Sequence, residues 1–458
     1  MAEMKHGMLG EAESKSIADQ TLKSMSSDAA EVVISSKSSG LTRFYKNSVH
    51  QNVEEKEVRV HLRAWAGARS GAASTNALDE ASLKELADRV AEIMALSPES
   101  DESPTLSQPT DLSSVASLDQ AAVEQTPQAR AEAVAQVCEA AAKQNQEAYG
   151  AYLVETNELA VANSEGHFGH HAGSMADFQT VVRNNGASGW AQASSWKLDG
   201  VPVQSLGEEA SRKATDGADP RSMEPELITV VLDPYATVDL LQMLGLPGMS
   251  GRAIVEGRSW ISERIGQQSM NEAVSIWDDG LDASGVPQPF DSEGAPKQRL
   301  EIVREGVVKG GVYDRETAAQ QNIESTGHAL SPDFPPMIRM YSPLPTNLFM
   351  APGDQSTREM IESTDRGLYI TRFHYTRHVH PRDCVVTGMT RDGVYLIENG
   401  EIQGAVKDFR FTQSYVEALN NVEAIGSETR LIVDDFLRAA VSAPAVKIRD
   451  FRFTGATV

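Results

Sequence analysis

In the first half of the chain, apolar residues at helical spacing interrupt runs with strand character; in the second half, short alternating runs dominate. Leu83, Leu86, Val90 and Ile93 fall on one face of a helix capped by Asp79. Thr126 and Pro127 open a second helix, with proline where its missing N–H costs nothing; Val134, Val137 and Ala141 turn inward, and the helix ends near Tyr149. A third spans about Gly207 to Thr215. EVVIS and RVHLRAWAGARSG read as strands flanking a turn-rich segment, with AYLVET to ELAVANS and ADFQTVV as two more, so these helices are expected to cover a sheet.

Two prolines and alternating charge break the pattern between Asp216 and Glu226. Beyond them ITVVL, EAVSIWDD, QRLEIVREGVVKGGVYD, PMIRMYS and GLYITRFHY read as strands. From Thr387 to Asn420 the chain spells two tight turns, three strands and a helix. Asp392-Gly393 and Asn399-Gly400 suit two-residue hairpin loops, and Ser414 stands three residues before Glu417 as a capping box for a helix carrying Val416 and Leu419. VKDFRFT at 406–412 is nearly repeated as IRDFRFT at 448–454. Phe409 and Phe411 share one strand face, so the pair reads as two strands of one core, with a duplicated ligand-binding element as the alternative.

These readings give an α+β fold: an amino-terminal sheet-and-helix domain followed by a mainly antiparallel β carboxy-terminal domain. Residues 1–28 form a tail or docking helix, 29–220 the first domain with a Pro/Ser-rich surface loop insertion at 97–126, and 221–458 the second.

Charge narrows the partners. With 41 Lys and Arg against 65 Asp and Glu, the net charge of -24 repels a phosphate backbone, so nucleic acid is an unfavourable partner. Only Cys138 and Cys384 occur, which argues against a disulfide framework and suits a reducing cytosol. The opening MAEMKHGMLGEAESKS has no secretory apolar core, and no run approaches the roughly 20 apolar residues that span a bilayer. A cytoplasmic protein without membrane association is expected.

Local motifs supply little chemistry: there is no G-x-S-x-G elbow, P-loop or dinucleotide fingerprint. His374, His378 and His380 would share a strand face with Thr376 and could chelate a metal, Cys384 following four residues on; the competing reading is a half-exposed strand ended by Pro381. His167, His170 and His171 lie in a Gly-rich connection without an acidic or cysteine partner at metal spacing. Asp278, Asp279, Asp291 and Glu293 are acids beside Gly280 and Gly294, where turn formation is the plainer explanation.

IENGEI, VKDFRFTQSYVEALN, the passage from Gly257 to Gln320 and the loop STGHA at 325–329 together resemble the TldD/PmbA family, and specifically its PmbA-like (TldE) half. The resemblance implies a heteromeric metallopeptidase in which one of two paired subunits holds the metal, acting on unfolded or small peptides, including precursors of peptide natural products. Metal-bearing members carry His-Glu-x-x-x-His on a helix after a buried strand, completed by a cysteine near the carboxy terminus. The corresponding passage here is Leu227 to Gly245, where Asp233 caps and Pro234 begins the helix, but Asp239, Leu240 and Leu244 stand at the ligand positions. ETRLIVDDFLRAAVSAPAVK also lacks the cysteine-bearing run, and one carboxylate cannot hold zinc tightly where three ligands are needed.

The resemblance therefore implies no cofactor in this chain, zinc on a TldD-like partner in a heterodimer, a peptide substrate, and Asp279, Asp291, Glu293 and His328 as substrate-lining candidates. Two alternatives stay open: an autonomous metal-dependent hydrolase using His374, His378 and His380, and a non-enzymatic binding or regulatory protein, with a homodimer possible.

Overall fold

In the computed structural model the described residues are 7–100, 105–434 and 439–456. The first six residues of the expected tail, four of the 97–126 loop, four of the passage at 428–447 and the last two of the chain lie outside them.

The amino-terminal domain begins with helix α1 (Glu11–Ser24), then β1 (Ala29–Tyr45), β2 (Ser48–Ala66), β3 (Arg69–Thr75), α2 (Glu80–Leu96) and the short α3 (Gln120–Val123). Helix α4 (Pro127–Lys143), strands β4 (Glu147–Asn163), β5 (Phe168–Asn184) and β6 (Ala187–Ser195), and helix α5 (Val203–Asp216) complete it. The strands form one antiparallel sheet in the order β3-β2-β1-β4-β5-β6. Strand alternation divides its faces. Val32, Ile34, Val154 and Phe178 point to the helices, and Val33, Leu153 and Met175 to the second domain.

Helix α1 docks rather than trailing: Ile17 and Ala18 enter the core, and the Glu158 carboxylate accepts the N–H groups of Leu9 (2.5 Å) and Gly10 (2.8 Å) before its first turn. Asp79 caps α2 as expected, through Ser82 N–H, but Ile93 is 39% exposed, and Ala87 and Met94 join Leu83, Leu86 and Val90 on the buried face. Helix α4 stops at Lys143 rather than near Tyr149, because the chain turns at the left-handed Asn145 (φ 56°) and Tyr149 already belongs to β4. The expected turn-rich segment after EVVIS is a continuous ribbon folded at Lys46-Asn47, whose φ angles of 50° and 59° match a two-residue hairpin loop.

The 97–126 segment is more than a surface loop. Leu106 is buried, Leu112 packs beside Phe290, and the Ser107 hydroxyl donates to the Glu293 carbonyl at 2.7 Å, so the segment straps the two domains together. His170 and His171 likewise lie within β5 rather than in a connection, with His170 on the Glu158 carboxylate at 3.1 Å.

The second domain holds β7 (Leu227–Leu232), α6 (Pro234–Gly245), α7 (Gly251–Val255), β8 (Ile276–Asp278), β9 (Leu300–Arg304), β10 (Val307–Val308), α8 (Arg315–Gln321) and α9 (Pro336–Arg339). It continues with β11 (Asn347–Met350), α10 (Thr357–Glu362), β12 (Arg366–His380), β13 (Val385–Glu398), β14 (Glu401–Ala405) and β15 (Phe409–Ser414). Helix α11 (Tyr415–Asn420), β16 (Val422–Val433) and β17 (Ala440–Ala456) end it. The pairing is mainly antiparallel, with parallel contacts of β11 to β17 and β12 to β7. Because β17 also pairs with β7, the strands β7, β12, β13, β15 and β17 close into a ring.

The repeated DFRFT segments are neighbouring strands of that ring. Phe411 pairs with Phe453, and Phe373, Phe409, Phe411, Phe451 and Phe453 pack with centroids 4.6–5.7 Å apart, which is the core reading of the repeat. Asn399-Gly400 makes the expected hairpin, and the Ser414 hydroxyl accepts the Glu417 N–H. Asp392-Gly393 does not turn: β13 runs through it with a bulge opposite Thr371, the same positive φ values (60° and 137°) serving a kink instead of a reversal. PMIRMYS is not a strand; Pro335 and Pro336 start the turn of helix α9.

Candidate functional site

Strand β7 leads directly into α6, where the Asp233 carboxylate accepts the Tyr235 N–H and Pro234 takes the first helical position. This delivers Tyr235, Val238, Asp239 and Gln242 to a cleft between the two domains. Gln179 and Gln192, paired across β5 and β6, form the amino-terminal wall with Trp190; Arg372, Phe373, His374 and Tyr375 of β12 form another, and Ile432 to Asp434 a third. The cavity is about 240 Å³.

A charged network holds the walls together. The Tyr235 hydroxyl accepts the Gln192 N–H (3.0 Å) and a bond from Arg430, and sits 3.2 Å from Glu209. Glu209 pairs with Lys213 at 2.8 Å and with Arg430 at 3.1 Å, joining α5 to β16. On the other side Arg372 stacks over Trp190 at 4.1 Å and pairs with Asp392, which accepts from the Ser188 hydroxyl of β6 at 2.5 Å. Trp190 is thus held by a guanidinium that is itself fixed from the opposite domain.

Asp239 lies at the cleft floor. Its carboxylate accepts from Thr376 (2.9 Å) and Tyr415 (3.3 Å), and removal from water pushes its pKa up to about 6 despite those two bonds. Leu240 and Leu244 point away into the core and are fully buried. The three expected ligand positions therefore offer one oxygen donor already engaged by two hydroxyls and two aliphatic side chains, a set that does not fit zinc.

The three histidines of β12 do not meet. Tyr375 adopts a left-handed φ of 56°, and the register slips between His374 and Arg377, so the simple alternation that would align them is lost. His374 faces the cleft, His378 contacts the Met243 carbonyl at 2.8 Å with the Cys384 sulfur 3.9 Å away, and exposed His380 pairs with Asp383 at 2.9 Å. Burial raises the Cys384 thiol well above its ordinary range. Among the described residues, no three His, Cys, Asp or Glu side chains gather as a metal-holding group.

None of the substrate-lining candidates borders the cleft. Asp291 accepts the N–H groups of Glu293 (2.9 Å), Ala295 (3.0 Å) and Ala329 (2.8 Å), tying two loops, and burial with nearby Glu293 pushes its carboxyl up to about 7. Glu293 pairs with Arg315, and the Asp279 carboxylate accepts the Leu281 N–H within its own turn. His328 is fully buried against Asp278 at 2.9 Å. The cleft residues Trp190, Tyr235, Gln192 and Arg372 escaped sequence reading. Asn185-Gly186, with φ of 45° and 90°, is the hairpin signal that marks β6 and could have brought Trp190 and Gln192 into view.

Comparison with known proteins follows the same outline. Residues 30–94 match PmbA/TldA metallopeptidase domain 1, residues 120–217 the central domain and residues 225–455 the C-terminal domain. A metalloprotease of Methanothermobacter thermautotrophicus is 28% identical over 249 residues, covering 54% of this chain and 53% of its own. A metalloprotease TldD homolog of Buchnera aphidicola is 24% identical over 262 residues, 57% and 51% of the two chains. The chain thus spans about half the length of the curated relatives it matches. The crystal structure of TldE from Thermococcus kodakarensis superposes with a TM-score of 0.86 at 19% identity, covering 96% of this chain and 99% of that one, which is a likeness of fold. With all three domains matched in order, the chain belongs to the PmbA/TldA (PmbA/TldD) metallopeptidase family.

Proposed function

We propose that this chain is a PmbA/TldE-like subunit that lacks its own metal site and works in a cytoplasmic, heteromeric metallopeptidase. Zinc would be held by a TldD-like homologue, and the substrates would be unfolded or small peptides, including precursors of peptide natural products. The observation that carries the reading is the donor set on α6: Asp239 is committed to Thr376 and Tyr415, while Leu240 and Leu244 are core residues. A helix built this way supports a wall rather than a metal centre.

The cleft beside it suits an extended peptide. Its lining combines the amides of Gln179, Gln192 and Gln242 with the aromatic residues Trp190 and Tyr235, a composition that recognises backbone more than side chains. Two buried, unpaired cysteines suit the cytosol. The test is reconstitution. Alone, the chain should hydrolyse no peptide; combined with a His-Glu-x-x-x-His homologue it should form a heterodimer by light scattering and cleave unfolded peptides in a chelator-sensitive way. Chelator-sensitive hydrolysis by the chain alone would overturn the proposal.

A further inference from the structure

A second cavity, of about 350 Å³, lies on the helix-covered face of the amino-terminal sheet, the face opposite the interdomain cleft. Its floor is two registered rows of residues: Glu54, Gly40 and Val154 in one, and Lys56, Ser38 and Thr156 in the next. The link between α3 and α4 and the first turns of α4 form its roof.

Arg130 of α4 hangs over this floor in an arrangement that is costly unless something completes it. The side chain is 2% exposed, yet among the described residues it forms no ion pair; its one hydrogen bond runs to the Val53 carbonyl at 3.3 Å, and its Nε has no partner. The position is built rather than incidental. A Cβ at Gly40 would fall 2.2 Å from Arg130 Nη1, so the absence of a side chain at 40 is what admits the guanidinium. The Thr156 hydroxyl, also buried, lacks a partner in the same cavity. Burial holds Arg130 below the ordinary arginine range, offset in part by the charge of Glu54.

We propose that this cavity binds a small organic monocarboxylate, with Arg130 gripping the carboxylate oxygens, Thr156 donating a further hydrogen bond and the apolar tail resting against Val154 and Ala122. A guanidinium fork matches a carboxylate geometrically, and the start of α4, a 17-residue helix, adds favourable potential for a negative charge. Lys56 at the floor adds a second cation, while Glu54 beside it leaves room for one negative charge rather than two. The volume exceeds that of a bare ion, which favours a carboxylate with a short carbon chain.

The test titrates the full chain with butyrate and with inorganic phosphate, at constant ionic strength maintained with potassium chloride, reading thermal shift and isothermal calorimetry. Butyrate should give a saturable response at one site. Arg130→Gln should weaken it at least tenfold, Thr156→Val several-fold, and Glu54→Gln should tighten it several-fold by removing the competing charge. Thr156→Val preserves shape, so it keeps the test decisive even where Arg130→Gln fails to fold. The proposal is overturned if butyrate gives no saturable response, if phosphate saturates in its place, or if neither Arg130→Gln nor Thr156→Val changes the response. It also fails if Glu54→Gln lowers the melting temperature and abolishes binding, since Glu54 would then be the guanidinium's own counter-ion.

Discussion

Replacing Asp239 with Asn tests whether the carboxylate on α6 is a burden to the fold or a ligand in waiting. A folded-state pKa raised from 3.8 to about 6 disfavours ionisation by about 3 kcal/mol, and partial access through the cleft lowers the figure to about 2. The sign follows from proton linkage: above pH 3.8 the unfolded chain releases this proton more readily than the folded one. The wild-type protein therefore loses stability as pH rises towards 6, then stays level. Asn cannot ionise, and its amide can exchange hydrogen bonds with both Thr376 and Tyr415 once one hydroxyl rotates. For a chain of 458 residues, about 2 kcal/mol corresponds to roughly 2 °C in melting temperature. Differential scanning calorimetry from pH 4 to pH 8 should show the variant equal to wild type at the acid end and about 2 °C more stable above pH 6. A variant less stable than wild type at pH 8 would refute the reasoning, because the ionised carboxylate would then have a positive partner.

Tyr235→Phe removes the hydroxyl shared by Gln192, Glu209 and Arg430, and should cost about 1–3 kcal/mol in urea unfolding; unchanged stability would mean that this network does not hold the domains together. The double change His378→Ala and His380→Ala should leave the zinc content of the purified chain unaltered by elemental analysis. Stoichiometric zinc that is lost in that variant would restore the autonomous-hydrolase alternative. Phe411→Ala, in the centre of the ring core, should destabilise by about 3–5 kcal/mol, and a loss below about 1 kcal/mol would contradict the packing described.

Local chemistry was legible wherever a side chain acts on its own backbone. Asp79, Thr126, Asp233 and Ser414 all cap the helices expected of them, since a cap needs only the next few residues. The repeated DFRFT was readable because alternating aromatics in a strand have few places to go other than a core. What failed depended on partners distant in sequence. Asp392-Gly393 takes the backbone angles a hairpin needs, but β12 continues opposite it, so the same dipeptide makes a bulge.

Asp279, Asp291, Glu293 and His328 are offered as substrate-lining candidates by the family resemblance, while acids beside glycines suit turns as readily. Only the fold reveals that Asp291 is consumed by three backbone N–H groups and His328 by Asp278. The cleft was hidden for the converse reason. Trp190 and Arg372 come from different domains and are unremarkable in sequence until β6 and β12 bring them face to face. Strand β6 itself, ASGWAQASS, carries small and polar residues that give little alternating signal.

Metal content tests the central claim most directly. The chain is purified alone, incubated with zinc, dialysed, and measured by elemental mass spectrometry beside a TldD-like homologue carried through the same steps. The account predicts about one zinc per homologue and no retained stoichiometric metal on this chain. One equivalent of zinc held by this chain alone, and released by Asp239→Ala, would contradict it.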